Sequence, residues 1–144
     1  LNGFYEPHKV DAKGKSIPFY FSRKDGDSFS VAGIYSITRD GTPTFTMFTK
    51  EASKWFGAIH NKKGEKRQIV LLPKDLEMEW LRDDLTEKHI TELFNVRYDE
   101  SELDAWPISR ELFASNVNSN YEDIIIQKEY PEVNLKELNQ LKTI

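Results

Sequence analysis

Two Asp-Gly dipeptides, each set between runs of aromatic and β-branched residues, constrain this chain more than any other feature. The runs are Ile17-Pro-Phe-Tyr-Phe-Ser22, Phe29-Ser-Val-Ala-Gly-Ile-Tyr-Ser-Ile37 and Pro43-Thr-Phe-Thr-Met-Phe-Thr49, and their side chains suit a pleated, half-buried surface. Lys24-Asp25-Gly26-Asp27 and Arg39-Asp40-Gly41-Thr42 separate them. Asp-Gly between apolar runs is the strongest short-range hairpin signal, because the glycine supplies a positive φ without steric cost. The expected result is an antiparallel meander.

After Thr49 the period changes. Ala52, Trp55, Phe56 and Ile59 recur at three- and four-residue spacing, with Glu51 near the start, which predicts a helix that delivers His60 at its C-terminal end. Asn61-Lys-Lys-Gly-Glu-Lys-Arg67 follows, then an apolar strand from Ile69 to Leu72 that Pro73 ends. Lys74 to Arg82 and Thr86 to Phe94 read as short acidic helices, and Trp106 to Ser109 and Ile124 to Ile126 as later strands. Leu135, Leu138 and Leu141 predict a short amphipathic helix in a C-terminal tail, residues 128–144. These elements make an α+β fold, a central, curved, mainly antiparallel sheet with short peripheral helices, in one domain over residues 1–144.

Composition excludes several classes. The chain holds no cysteine, which removes disulfides, thiolate metal sites and thiol nucleophiles within its 144 residues. No apolar run approaches the roughly 20 residues of a membrane helix and no leader pattern opens the chain, so no membrane association is expected. Residues 1–72 carry 12 Lys and Arg against 7 Asp and Glu, and residues 73–144 carry 8 against 17. A phosphate backbone would therefore meet the first half.

Glu6 lies in Gly3-Phe4-Tyr5-Glu6-Pro7, where an unpaired charge is costly. A carboxyl among aromatic rings has its pKa raised by desolvation, a property suited to proton transfer. The plainer alternative is a strand-edge carboxylate paired with Lys9 or Lys15. For His60 it is a cation at the helix C-terminus, and for the cluster Lys62, Lys63, Lys66 and Arg67 a solvated loop. His8 and His89 are expected at the surface, and Tyr5, Phe19 and Tyr35 in the core rather than stacked on bases.

In order along the chain, Gly3-Phe4-Tyr5-Glu6, Ile17-Pro18-Phe19-Tyr20, Ala32-Gly33-Ile34-Tyr35, Phe45-Thr-Met-Phe-Thr49 with Glu51-Ala52, Ile59-His60-Asn61 with Lys66-Arg67, and Trp106-Pro107-Ile108-Ser109 resemble the SOS response-associated peptidase (SRAP) family. The resemblance runs to about residue 127. It departs from the family in lacking the N-terminal cysteine and the portion around an Asn-x-Arg motif that precedes the Glu strand. It also departs in having Pro7 for tryptophan, an insertion over Lys62 to Glu65, and Gln68 for proline. The missing portion is expected to have been removed or to lie on another chain.

The resemblance implies a barrel-like sheet and a DNA-damage response protein that senses abasic sites in single-stranded DNA. Its N-terminal cysteine would form a thiazolidine crosslink with the ring-opened sugar, and the same site would cut its own N-terminal peptide. It implies Glu6 and His60 as catalytic residues, and Thr49, Lys62, Lys63, Lys66 and Arg67 along the nucleic acid, with no metal and no cofactor. Such a protein would act at the nucleoid in a bacterial cytoplasm or in a eukaryotic nucleus. A noncatalytic single-strand-binding module is the alternative, and a plain hydrolase the third reading.

Overall fold

A computed structural model describes residues 1–11 and 15–144. Its first sheet has the order β1 (Phe4–Lys9), β2 (Ser16–Arg23), β9 (Leu103–Pro107), all antiparallel. β1 and β2 pair with Phe4 opposite Phe21, Glu6 opposite Phe19 and His8 opposite Ile17. Alternation along a strand then sends these six side chains to one face and Tyr5, Tyr20 and Trp106 to the other, where the three rings stand 5.4 and 5.3 Å apart in sequence.

Pro7 faces Pro18 across this pair. The Val10 amide bonds the Lys15 carbonyl at the strand end, so by alternation Pro7 and Pro18 occupy a non-hydrogen-bonded position. The nitrogen of each points away from the other strand, and its missing proton leaves the ladder intact. Lys9 shares that parity, so its backbone N–H and C=O face outward from the free edge of β1.

The predicted meander does not form. Both edges of β2 are taken by β1 and β9, so the strand after the Asp25-Gly26 turn must look elsewhere, and β3 (Ser30–Val31) pairs with β8 (Leu71–Leu72). β4 (Gly33–Ile37) and β5 (Pro43–Met47) do form the hairpin expected at Asp40-Gly41, with Gly41 at φ 85° and the Gly41 amide bonded to the Thr38 carbonyl. β6 (Thr49–Glu51) pairs with β7 (Arg67–Ile69). The runs 30–37, 43–51 and 67–72 thus change partner at Ala32, Phe48 and Val70. Those three residues are linked by backbone bonds from Ala32 to Val70, Phe48 to Ala32 and Val70 to Phe48, at 2.8, 2.9 and 3.0 Å. These pairings give antiparallel sheets with a few short helices, and among the described residues they do not close a barrel.

α1 (Lys54–Ile59) starts later than its apolar period suggests, because Glu51 is held in β6 and Ser53 is the N-cap, its hydroxyl accepting from the Phe56 amide. Trp55, Phe56 and Ile59 are buried with Ile17, Phe19, Phe21, Phe29 and Leu103 in the main core, where Phe4, Phe21 and Phe56 stack. Burying each such ring is worth about 1.5–3 kcal/mol. A smaller core joins Ala32, Val70 and Leu72 to Phe48, Trp80 and Phe94, the last two from α2 (Glu77–Trp80) and α3 (Glu87–Asn95). The predicted tail helix is present as α4 (Leu135–Asn139). Ile124 to Ile126 is a 3-10 turn rather than a strand, since only Ile124 is buried and the segment reaches the sheet by single bonds, Trp106 Nε1 to the Ile125 carbonyl and the Lys128 amide to the Pro107 carbonyl. Among the described residues no helix is long and apolar enough to cross a membrane.

Candidate functional site

Strand alternation turns Glu6 toward α1 between Phe4 and His8, and the helix ends by presenting His60 as its C-cap residue, with the His60 amide bonded to the Phe56 carbonyl at 2.8 Å. The two side chains meet there. His60 Nδ1 lies 2.9 Å from Glu6 Oε2, and the side chains are 20% and 15% exposed. The approach is close but not aligned, and Nδ1, itself buried, has no hydrogen bond of good direction among the described residues.

The electrostatics follow from burial. Desolvation pushes the Glu6 carboxyl up to about 7, against the pull of the Lys62 ammonium. Desolvation also holds the His60 imidazole below its ordinary 6.5, and the Lys62 and Lys9 charges act the same way. A strong ion pair would shift both groups in the opposite senses, so burial outweighs pairing here. Near neutral pH the site therefore holds an uncharged imidazole beside a carboxyl poised between its two forms, an arrangement that can give or take a proton.

Three further bonds fasten the strand to the helix end. The Asn61 carboxamide accepts from the Lys9 amide at 2.7 Å and donates to the Lys9 carbonyl at 2.9 Å. His8 Nδ1 donates to the Ile59 carbonyl at 2.9 Å, and its ring stands 5.4 Å from that of Phe19. At the other end of α1 the buried Gln68 side chain accepts from the Ser53 amide at 2.6 Å.

The family model described as SOS response associated peptidase (SRAP) matches residues 1–115. The chain belongs to the SRAP family. It is 31% identical over 112 residues to the abasic site processing protein YoaM of Bacillus subtilis, covering 75% of this chain and 47% of that protein. It is 28% identical over 114 residues to an abasic site processing protein of Saccharomyces cerevisiae, covering 76% and 29%. The chain thus spans about half the length, or less, of these relatives. A crystal structure of a protein from Bacteroides thetaiotaomicron superposes with a TM-score of 0.74 at 26% identity, over 89% of this chain and 54% of that one.

Within this SRAP fold the other sequence-predicted residues divide. Lys62 lies close enough to act on both Glu6 and His60. Arg67 is engaged on β7, donating to the Thr49 carbonyl at 2.6 Å and the Thr49 hydroxyl at 3.3 Å and pairing with Glu65 at 2.9 Å, so Thr49 and Arg67 form one unit. Lys63 and Lys66 are exposed in the loop that bends at Gly64. No three His, Asp or Glu residues among those described converge as metal ligands.

Sequence reasoning named Lys9 only as a possible partner of Glu6, whereas its charge acts on His60, and it expected His8 at the surface, where the structure has it half-buried. The alternation that faces Glu6 inward also faces His8 inward, and that signal was present. Phe19 is in the core as expected, whereas Tyr5 and Tyr35 are exposed.

Proposed function

We propose that this chain carries the proton-transfer pair of an abasic-site-processing protein acting on single-stranded DNA. The observation that carries this reading is the half-buried contact between Glu6 and His60. Abasic processing proceeds through the open-chain aldehyde of the sugar. An amine adds to that carbon, water leaves to give an imine, and a thiol adding across the imine closes a thiazolidine. The amine and thiol would belong to an N-terminal cysteine outside these 144 residues. Glu6 as an acid helps the hydroxyl leave as water, and His60 as a neutral base takes the proton from the adding group. The same carboxyl and imidazole serve the cutting of a peptide ahead of the cysteine. Lys62, Lys63 and Lys66 meet the phosphates, with Thr49 and Arg67 on the same path.

The test joins this chain to any cysteine-bearing segment encoded upstream of Leu1 and follows the denaturant-resistant adduct with single-stranded DNA carrying an abasic site. Glu6→Gln and His60→Ala are expected to slow the adduct's formation by roughly 10²–10⁴-fold each. Wild-type rates in both variants remove the pair from the chemistry. Binding without any adduct, whatever segment is supplied, leaves a noncatalytic single-strand-binding module.

A further inference from the structure

The Glu6–His60 contact does not hold itself together. Its Nδ1 and Oε2 are 2.9 Å apart without the alignment of a hydrogen bond, and burial disfavours the charged form of each partner. Something else must set the distance. The ties that could do so flank His60 through Ile59 and Asn61 and hold β1 just beyond Glu6, through His8 and Lys9 two and three residues on.

We propose that the Asn61 carboxamide, with His8 as a second tie, is a positioning device that fixes β1 against the end of α1 and so sets the separation of Glu6 and His60. Lys9 is an outward-facing residue at the free edge of β1, so its N–H and C=O point away from β2. A carboxamide offers one acceptor and one donor in a plane, the pair a neighbouring strand would present, and Asn61 uses both on Lys9. Aspartate at this place would lack the donor, and glutamine would be a methylene too long. His8 adds the one bond that runs the other way, from the strand side chain to the backbone of the helix end. The groups whose charge bears on the pair, Lys9 on the strand and Lys62 after the helix, come from the two segments that the ties join.

This inference rests on reading Glu6 and His60 as the reacting pair, yet it can be read without any reaction. Isotope-labelled 144-residue chain is titrated while NMR follows the His60 ring and the Glu6 carboxyl, in wild type, Asn61→Ala and His8→Phe. The phenylalanine keeps a ring against Phe19 and removes only the bond to Ile59. Release of the ties hydrates the cleft, so His60 should titrate higher and Glu6 lower than in wild type, by more in Asn61→Ala. In the adduct assay a displacement of about 1 Å should slow the Asn61→Ala protein by roughly 10²-fold. If Asn61→Ala does not fold, His8→Phe carries the same test with a smaller shift. Unmoved titrations in the folded variants overturn the positioning role. Shifted titrations with an unchanged adduct rate uphold it and overturn instead the chemical role given to the pair.

Discussion

Replacing Glu6 with glutamine should stabilise the folded chain at alkaline pH and do little at acid pH. The carboxyl titrates at about 7 in the fold against an ordinary 4.5. Between those values the folded chain keeps a proton that the unfolded chain has lost. Its contribution to stability is therefore present below pH 4.5 and lost as pH rises through 7. At about 1.36 kcal/mol per pH unit, ionising Glu6 in place costs up to about 3 kcal/mol by pH 8. Glutamine is close in shape and cannot ionise, so it avoids that cost. A chain of this size moves about 2–4 °C in Tm per kcal/mol, which makes the gain roughly 10 °C at pH 8. His60 acts with the opposite sign, its depressed pKa removing stability as pH falls below 6.5, but it is present in both proteins and its main effect cancels in the comparison. Urea and thermal unfolding of both proteins at pH 4.5, 6 and 8 check the trend. A Glu6→Gln chain that is less stable than wild type at pH 8 would mean that the two side chains form a stabilising ion pair and that burial does not dominate them.

Replacing Lys62, Lys63 and Lys66 together with alanine should flatten the salt dependence of single-stranded DNA binding, by about 0.7 in the log–log slope for each lysine that meets a phosphate, so about 2 in all; an unchanged slope in a filter-binding series returns this loop to solvent. Gly33→Ala places a Cβ 2.8 Å from the Thr46 carbonyl across the β4–β5 hairpin, too close for backbone to tolerate in place. The strands must part, at a cost of about 1–3 kcal/mol in denaturant unfolding, and an unaltered midpoint would show that the hairpin adds nothing to stability.

Local signals were strong enough to place β2, the hairpin at Asp40-Gly41 and the helix that ends in His60, because each depends on residues within about ten positions, whereas β1 came from the family resemblance. The sheet order was not locally legible, since it depends on which edges are already occupied. Nothing near Asp25-Gly26 says that β2 has been claimed by Leu103–Pro107, about 80 residues on. The exchange of partners at Ala32, Phe48 and Val70 is likewise a property of three distant segments together. At the site, Glu6 stood out locally as a carboxylate among aromatics, whereas an imidazole at a helix end is ordinary and His60 was singled out by the family resemblance. His8 and Gln68 did not stand out, because each bonds to a backbone group of a distant residue, Ile59 and Ser53, and only folding creates those partners. Asn61 was visible as part of a motif, but its work on Lys9 was not.

With Pro7 facing Pro18 across β1 and β2, a slip of β1 is costly in two ways at once. A slip of a single position would turn the Glu6 side chain out to water, away from His60. It would also turn the Pro7 nitrogen toward β2, into a place where the ladder calls for an N–H that proline lacks. The register that builds the cleft is thus checked by the backbone itself, and a chain folding toward a wrong alignment is turned back before any chemistry depends on it.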